Sequence, residues 1–300
     1  MTTRLDAATL VDYPLPRLAT DGDKEDRGAV LVVGGDALMA GAAILAGVAA
    51  LRVGAGKLQI RADRASATGM AIAVPEARII VANATRAAPL ISDAAKASAL
   101  VIGPGMETGS ARRRLARKLL ESGPDVPAVI DAGALPLKNE ASAFAEWAAG
   151  RTILTPHAGE MAAILGRDKN AILADPLVAA REAAALFRSV VVMKGATTFV
   201  VSPDGAAWRH DGGVAGLGTS GSGDVLAGAI GGILARGAAP IVAALWGVVL
   251  HAQAGLALAA AGAPLGFLAR EIPERLPFIL ARLSAAAPDP RGQIAGCDQA

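Results

Sequence analysis

Short runs of Val, Ile and Leu alternate along the chain with longer Ala-rich segments of helical periodicity. The short runs predict seven strands: Ala29–Val33, Lys57–Arg61, Ala77–Val81, Ala99–Ile102, Ala128–Asp131, Thr152–Leu154 and Val190–Lys194. The longer segments predict helices at residues 40–52, 89–97, 109–121, 140–149, 157–166 and 175–187. Strands and helices that alternate in this way are typical of βαβ units, so we expect an α/β fold: a mostly parallel central sheet with helices on both faces.

The pattern changes in the last third of the chain. Residues 197–210 contain two strand-like runs around Ser-Pro-Asp-Gly, a turn sequence with proline in second position, which predicts a β-hairpin. Three further helices are predicted at residues 223–236, 240–262 and 268–284. Because there is no linker-like change in composition, we expect one domain at residues 28–286, with an N-terminal extension at 1–27 and a disordered tail at 287–300.

Composition narrows the class of protein. Hydrophobic residues make up 53% of the chain but aromatic residues only 3%, so the core must consist of Ala, Val, Leu and Ile. Lys and Arg number 29 against 27 Asp and Glu, without a basic block that contains aromatic residues, which argues against nucleic-acid binding. Cys297 is the only cysteine, which excludes a disulfide framework and a cysteine-built metal site and fits a cytoplasmic protein.

Neither the N-terminus nor the longest apolar segment predicts contact with a membrane. Residues 1–16 lack the charged and apolar regions of a signal peptide. Residues 240–264 are long enough to span a bilayer, but the segment is rich in Ala and Gly and carries His251 and Gln253 near its centre. We therefore expect a buried core helix.

The candidate chemistry lies in glycine-rich loops after the predicted strands. Ligands bind at the carboxyl ends of strands in parallel sheets, and six loops there carry glycine. The loop at 216–224, with the sequence GLGTSGSGD, leads directly into a predicted helix. Glycine lets a ligand approach backbone N–H groups, and the helix start favours an anion, so this loop predicts a phosphate cradle that includes Gly223. It is not a P-loop, since GxxxxGK[ST] does not occur.

Asp224 follows this cradle directly. As a purely structural residue it would be a helix-end charge, whereas as a functional residue it would face a substrate hydroxyl and act as its general base. A positioned base beside an anion-stabilising loop is the arrangement that phosphoryl transfer requires, usually with Mg²⁺.

Two other loops supply candidate side chains. TPHAGE places His157 at a predicted helix start, with Thr155 as the N-cap and Pro156 in the first turn. His157 and Glu160 have metal-ligand spacing, but a third ligand is missing, so we assign no metal-binding residue. Lys194 ends a strand at the same edge, where it could meet a nucleotide phosphate or form a surface salt bridge.

In this order, the loops resemble the ADP-dependent (S)-NAD(P)H-hydrate dehydratases, relatives of the ribokinase-like vitamin kinases. The resemblance runs from about Gly28 to Ala260 and rests on RGAVLVVGGDALMAGAAILAGVAALRVGAGKLQI, VIGPGMETG, VIDAGAL, ILTPHAGEMAAILG, VVMKGATTFVV and GTSGSGDVLAGAIGGILARG. Members of this family repair hydrated NADH or NADPH. The resemblance implies a ribokinase-like fold and an enzyme that phosphorylates the ring hydroxyl from ADP and then eliminates phosphate.

The same resemblance implies roles for individual residues. Substrate-contacting positions correspond to Ala42, Gly105, His157 and Asp224, with Asp224 as the catalytic base. Nucleotide-binding positions correspond to Lys194, Gly195, Ala196, Thr197, Thr198 and Gly223. The resemblance also implies Mg²⁺, a homotetramer and a separate epimerase as functional partner, because the epimerase domain often fused to this family is absent from the chain.

The chain departs from the family pattern at three positions. Gly133 stands where an aspartate is usual, Ala158 where proline is common, and Ser220 where glycine is usual. Two other functions would use the same cradle. A ribokinase-like kinase would phosphorylate a small hydroxymethyl compound, and a nucleotide-binding regulator would bind ADP without turnover.

Overall fold

The computed structural model describes residues 1–17, 23–82, 88–123, 125–148 and 150–285; the predicted tail at 287–300 lies outside them. The strands are β1 (Thr3–Arg4), β2 (Ala29–Val33), β3 (Lys57–Ala62), β4 (Ala77–Val81), β5 (Ala99–Ile102), β6 (Ala128–Ile130), β7 (Thr152–Leu154), β8 (Val190–Met193), β9 (Thr198–Val201) and β10 (Ala207–His210). The α-helices are α1 (Ala40–Arg52), α2 (Arg64–Ala73), α3 (Ala88–Ala94), α4 (Ser110–Ser122), α5 (Ala141–Ala148), α6 (Ala158–Leu165), α7 (Lys169–Ala174), α8 (Pro176–Phe187), α9 (Ser222–Ala235), α10 (Pro240–Ala261) and α11 (Ile272–Ala285).

The strands form one sheet in the order β1-β10-β9-β8-β7-β6-β5-β2-β3-β4. Only β9 runs antiparallel to its neighbours among the described strands, because it is the first arm of the β9–β10 hairpin. The predicted α/β fold with a mostly parallel sheet is therefore confirmed, and so is the hairpin.

Helices cover both faces of the sheet, as the pattern predicted. Along β2, Val30 and Val32 pack into the core beneath α1, α9 and α10, whereas Leu31 and Val33 pack into the core beneath α4, α5 and α8. Successive side chains of a strand point to opposite faces, so a continuous apolar run is what a strand buried on both faces requires.

Three short elements were missed in the sequence: β1, α2 and α7. β1 has only two residues, and both are exposed. Among their own residues, α2 buries only Met70 and α7 only Ile172, so neither carries an apolar stripe that periodicity can detect. The predicted helix at 268–284 begins instead with a 3₁₀ turn at Ala269–Glu271 before α11.

Part of the predicted N-terminal extension joins the sheet. β1 pairs in parallel with β10, and Leu5 and Leu10 are 1% and 2% exposed. Trp246 of α10 donates from Nε1 to the carbonyl oxygen of Tyr13 at 2.7 Å. The first residues of the chain thus cover the hairpin edge of the sheet.

Helices α9 and α10 form the interior of one helical layer. A Cβ added to Gly228 of α9 would overlap the carbonyl oxygen of Ala46 in α1, so only glycine allows these two helices to approach this closely. Helix α10 is long and apolar enough to cross a membrane. However, 72% of its apolar 18-residue stretch is buried inside the protein, as expected of a core helix.

Candidate active site

The loops after the parallel strands meet at one edge of the sheet and are joined by hydrogen bonds. Gly35, after β2, donates its N–H to the carbonyl oxygen of Pro104, after β5, at 2.7 Å. Thr155, after β7, donates from Oγ1 to Oδ1 of Asp131, after β6, at 2.7 Å. The predicted ligand-binding loops therefore form one continuous surface.

A cleft of about 690 Å³ opens where this surface meets the β9–β10 hairpin, the start of α9 and the middle of α10. Its lining includes His157 and five of the six predicted nucleotide-binding residues: Lys194, Gly195, Ala196, Thr198 and Gly223. The sixth, Thr197, is not part of the lining; its hydroxyl donates to Oδ1 of Asp211 at 2.8 Å. The structure thus brings most of the predicted nucleotide-binding set together.

One side of the cleft is apolar. Its apolar lining consists of Val214, Ala215, Leu217, Leu226, Val248 and Ala252, which come from the segment after the hairpin, from α9 and from α10. The polar side chains of the lining come from the start of α6, the end of β8, the β9–β10 hairpin, the start of α9 and also from α10, which contributes His251. The cleft therefore offers apolar groups for a nucleotide base and polar groups for its phosphates.

Gly223 and Lys194 bring the cradle, residues 216–223, into contact with the loop at residues 194–198, which has the sequence KGATT and is called the KGATT loop below. A Cβ added to Gly223 would lie 3.3 Å from Nζ of Lys194. Gly223 lies in the first turn of α9, where backbone N–H groups lack carbonyl partners within the helix and the helix dipole is positive. A fixed ammonium beside such a helix start is suited to an anion.

Lys194 is held by two carboxylates. Nζ donates to Oδ1 of Asp131 at 2.9 Å and lies 3.7 Å from Oε2 of Glu160. Burial disfavours the charge on Lys194, but Asp131 and Glu160 outweigh that effect and raise the pKa of the lysine above its usual value. Lys194 is therefore a permanent cation, and its ion pair with Asp131 is mostly buried rather than on the surface.

Asp224 has the most strongly altered carboxyl group of the site. Burial, followed by the charge of Asp131, raises its pKa to about 7; Lys194 opposes this shift and Glu160 adds to it. A carboxyl group with a pKa near neutrality can accept and release a proton at physiological pH, which is what a general base needs. A carboxylate whose only role was to stabilise the start of a helix would be expected to stay ionised, so the raised pKa favours the functional interpretation of Asp224.

Of the predicted substrate positions, His157 lines the cleft, whereas Ala42, Gly105 and Asp224 lie outside its lining. A Cβ added to Gly105 would lie 2.7 Å from Cβ of Ala42, so these two residues touch. A Cβ on Gly221 would meet Leu45 at 2.6 Å and Oδ2 of Asp224 at 3.8 Å. Ala42 and Leu45 are three residues apart on α1 and share one of its faces. This face of α1 therefore connects the Ala42–Gly105 contact to Asp224.

Asp36 anchors the loops on the substrate side and was missed in the sequence. Its side chain is buried, and Oδ2 accepts from the N–H of Glu107 at 3.0 Å and from Nε of Arg112 at 3.1 Å. The bond from Glu107 holds the loop after β2 against the loop after β5, which carries Gly105, and the ion pair with Arg112 ties both to α4. Only its position directly after Gly34 and Gly35 pointed to this role.

The predicted N-cap of helix α6 was wrong. We expected Thr155, but Nδ1 of His157 accepts from the N–H groups of Gly159 and Glu160 at 3.0 and 3.1 Å, and the helix begins at Ala158. Thr155 is unavailable because its hydroxyl binds Asp131. Since Nδ1 is an acceptor, the neutral His157 carries its proton on Nε2.

Two departures from the family pattern have a structural explanation. A Cβ on Gly133 would overlap the carbonyl oxygens of Met106 and Glu107, so this conformation leaves no space for a second acid there. Among the described non-glycine residues, only Ala132 and Arg188 have positive φ, so Ser220 adopts ordinary backbone geometry. The loop therefore tolerates serine in place of glycine at position 220.

His251 is a lining residue that the sequence analysis treated only as part of a core helix. Nε2 lies 3.0 Å from the carbonyl oxygen of Ser222 and 2.9 Å from its hydroxyl, at the start of α9. Burial lowers the pKa of His251 to about 4, so the ring stays neutral and donates from Nε2 to the carbonyl oxygen. His251 thereby holds Ser222, the first residue of α9, in place. An isolated histidine in an apolar run gave no sequence signal for this contact.

Known proteins with a similar sequence support the interpretation of this cleft as a nucleotide-binding active site. A family model described as NAD(P)H-hydrate dehydratase matches residues 30–277. The chain is 49% identical over 285 residues to the ADP-dependent (S)-NAD(P)H-hydrate dehydratase of Xanthomonas campestris, which covers 92% of this chain and 96% of that protein.

Solved structures confirm the predicted ribokinase-like fold. The ADP/ATP-dependent NAD(P)H-hydrate dehydratase of Bacillus subtilis, co-crystallised with ATP and Mg²⁺, has a TM-score of 0.80 at 28% identity and covers 94% of this chain and 99% of its own. A ribokinase-like protein of Enterococcus faecalis has a TM-score of 0.78 at 23% identity, with 94% and 96% covered, which shows the fold alone. Together with the family match and the 49% identity, these findings show that the chain belongs to the NAD(P)H-hydrate dehydratase family.

Proposed function

We propose that this protein is an ADP-dependent lyase that dehydrates the S form of hydrated NADH or NADPH and so restores the intact dinucleotide. The observation that carries the proposal is the position of Asp224. Its carboxyl group, with a pKa of about 7, is close enough to Lys194 to feel the charge of that lysine, and it lies near Gly221, which also approaches Leu45 on the face of α1 that carries Ala42.

This arrangement supports a reaction in two steps. In the first, Asp224 accepts the proton of the ring hydroxyl while that oxygen attacks the β-phosphorus of ADP, so that AMP leaves. Lys194 and the N–H groups at the start of α9 stabilise the negative charge on the transferring phosphoryl group. In the second step, phosphate leaves with the electron pair of the C–O bond, and the adjacent ring carbon loses a proton to form the double bond.

The described residues are consistent with a Mg²⁺ ion that binds together with the nucleotide rather than at a site of its own. They contain no group of three or more His, Cys, Asp and Glu side chains that could hold a metal. Mg²⁺ typically binds nucleotide phosphates and water, with one or two protein carboxylates. Glu160, whose Oε2 lies 3.7 Å from Nζ of Lys194, is the carboxylate that could contact it. When bound, Mg²⁺ would neutralise charge on the phosphates.

A repair assay tests the function. Purified S-hydrated NADH with ADP and Mg²⁺ should regain the near-ultraviolet absorbance of NADH and release AMP and phosphate in equal amounts. A parallel reaction with ATP measures how strictly ADP is chosen. Transfer of phosphate from ATP to a small hydroxymethyl compound, without repair, would support the kinase instead, and ADP binding without turnover would support a regulator.

Four further proposals follow; the cytoplasmic location rests on the single cysteine of the chain, and the other three rest on the family resemblance. They are a homotetramer, a cytoplasmic location, cooperation with a separate epimerase that supplies the S form, and activity on both NADH and NADPH hydrates. Light scattering of the purified protein tests the first, and addition of an epimerase to a mixture of R and S hydrates tests the third.

A further inference from the structure

Asp131, directly after β6, is a buried carboxylate outside the cleft lining. The residue is 2% exposed. One of its oxygens, Oδ1, accepts from Nζ of Lys194 at 2.9 Å and from Oγ1 of Thr155 at 2.7 Å. Thr155 directly follows β7 and Lys194, the first residue of the KGATT loop, directly follows β8, so three neighbouring strands each supply one member of this cluster. A buried charge is stable only when it is paired and hydrogen-bonded, and Asp131 meets both conditions.

The backbone around Asp131 is fixed as well. Its N–H donates to the carbonyl oxygen of Ile102 at 2.9 Å. A Cβ added to Gly103 would overlap the carbonyl oxygen of Asp131, so the chain after β5 packs directly against it. Ala132 has a φ of 46°, a left-handed conformation that residues other than glycine seldom adopt. Such conformations persist where the surrounding structure enforces them, and they are concentrated at functional sites.

Lys194 has another carboxylate nearby, that of Asp224. Burial lowers the pKa of Lys194, whereas the charges of three carboxylates raise it: Asp131, Glu160 and Asp224. Asp224 is thus close enough to attract the ammonium, yet the ion pairs of Lys194 within the described part of the chain are with Asp131 and Glu160. A lysine has a flexible four-carbon side chain, so without a fixed partner its ammonium could turn to Asp224. A base that is paired with an ammonium is weaker and less free to face a substrate hydroxyl.

We propose that Asp131 is a positioning residue: it holds the ammonium of Lys194 beside Gly223, on the phosphate side, and keeps it from pairing with Asp224. Thr155 in turn holds the carboxylate oxygen that receives Lys194. Asp224 then stays free to accept the proton of the substrate hydroxyl, while Lys194 stabilises the phosphoryl group. The inference rests on the proposed function, because both roles belong to that reaction.

Repair kinetics and calorimetric titration with ADP test this inference. Asp131→Asn keeps the shape of the side chain and removes its charge, and we expect kcat to fall at least about tenfold, as for a lost hydrogen bond to a charged group. ADP affinity should not fall, because removal of a negative charge favours an anionic ligand. A variant with a damaged cleft would instead lose ADP affinity together with kcat. The control Asp93→Asn removes the partner of Arg78 on α3, outside the cleft lining, and should keep the wild-type kcat.

Thr155 provides a second variant that leaves every charge in place. Thr155→Val has nearly the same shape but lacks the hydroxyl, and we expect kcat to fall at least about threefold. Thr155→Ser keeps the hydroxyl and should restore kcat to within about twofold of wild type. This pair tests the proposal even where Asp131→Asn does not fold.

A double-mutant cycle shows whether Asp131 acts through Lys194. Lys194→Met keeps an unbranched side chain without the charge. In that background Asp131→Asn should lower kcat by less than about twofold, because the group that Asp131 positions is already absent. An equal loss in both backgrounds would mean that Asp131 acts independently of Lys194, and this would overturn the inference.

Nitrogen-15 NMR of the lysine ammonium groups observes the position of Lys194 without turnover. An ammonium held by a buried carboxylate exchanges its hydrogens with water slowly, so we expect one protected signal in wild type that is lost in both Lys194→Met and Asp131→Asn. A protected signal that persists in Asp131→Asn, or a wild-type kcat in that variant or in Thr155→Val, would contradict the proposal. Loss of the signal in a protein that repairs nothing would refute the proposed function and leave the assigned position of the ammonium intact.

Discussion

Replacing Asp224 by asparagine should abolish turnover and at the same time stabilise the fold at alkaline pH. The folded protein raises the pKa of Asp224 from 3.8 to about 7, mainly through burial and the charge of Asp131. The ionised carboxylate is therefore less stable in the folded protein than in the unfolded chain. Asparagine has nearly the same shape but no charge, so the variant avoids this cost.

The size of the effect follows from proton linkage. Below pH 3.8 the carboxyl group is protonated in both states and costs nothing; the cost grows as pH rises and is complete above about pH 7. The change in pKa corresponds to roughly 4 kcal/mol at about pH 8, and to roughly 2 kcal/mol at about pH 5. The stability gained by Asp224→Asn should therefore increase with pH.

Denaturant unfolding at both pH values measures this gain, and the repair assay measures the loss of turnover. Glu146→Gln serves as control, because Glu146 is an exposed carboxylate on α5 away from the site. We expect the control to show no pH-dependent gain and full activity. ADP affinity of Asp224→Asn should remain close to that of wild type, since the cradle is intact.

Two outcomes would refute this reasoning. If Asp224→Asn were no more stable than wild type at about pH 8, the carboxylate would not be buried among like charges as described. If the variant retained normal turnover, Asp224 would not be the base, whatever its pKa.

Two further predictions concern the neighbours of Asp224. Glu160→Gln removes a negative charge that helps to raise the pKa of Asp224, so the acidic limb of kcat/KM should move to lower pH; a limb that stays in place or moves to higher pH would contradict the assigned coupling. Gly223→Val should weaken ADP binding at least about tenfold, because its side chain would enter the space beside Lys194. The matched control Gly69→Val adds the same side chain to an exposed helix position with open space around it, and unchanged ADP affinity in both variants would refute the cradle.

Local sequence patterns were sufficient to predict most of the sheet, the hairpin and the order of the loops. Continuous apolar runs such as Val30–Val33 can be buried only between two layers, and this fact alone indicates helices on both faces. The parallel strands then require their carboxyl ends, and so the glycine-rich loops, to meet at one edge. This is why Lys194 and Gly223, far apart in the chain, were expected close to each other, and the structure brings them together.

The electrostatics and the hydrogen-bond directions depended on the tertiary structure. The pKa of Asp224 depends on burial and on Asp131, and the charge of Lys194 depends on Asp131 and Glu160. Both effects depend on the distances between residues on different strands and helices. The periodicity of the sequence carries no information about those distances. The N-cap of α6 was wrong for the same reason, since Thr155 is occupied by a residue from another loop.

The sequence by itself therefore determined which residue types stand at the carboxyl edge of the sheet, because strand and helix periods are local properties of the chain. Only the tertiary structure decided their protonation and their partners. His210 shows the difference most clearly: its proton is held on Nδ1 by the carbonyl oxygen of Leu5, a residue 205 positions earlier in the chain. Charge, burial and hydrogen bonding act through space, and only the folded chain brings those groups within reach of one another.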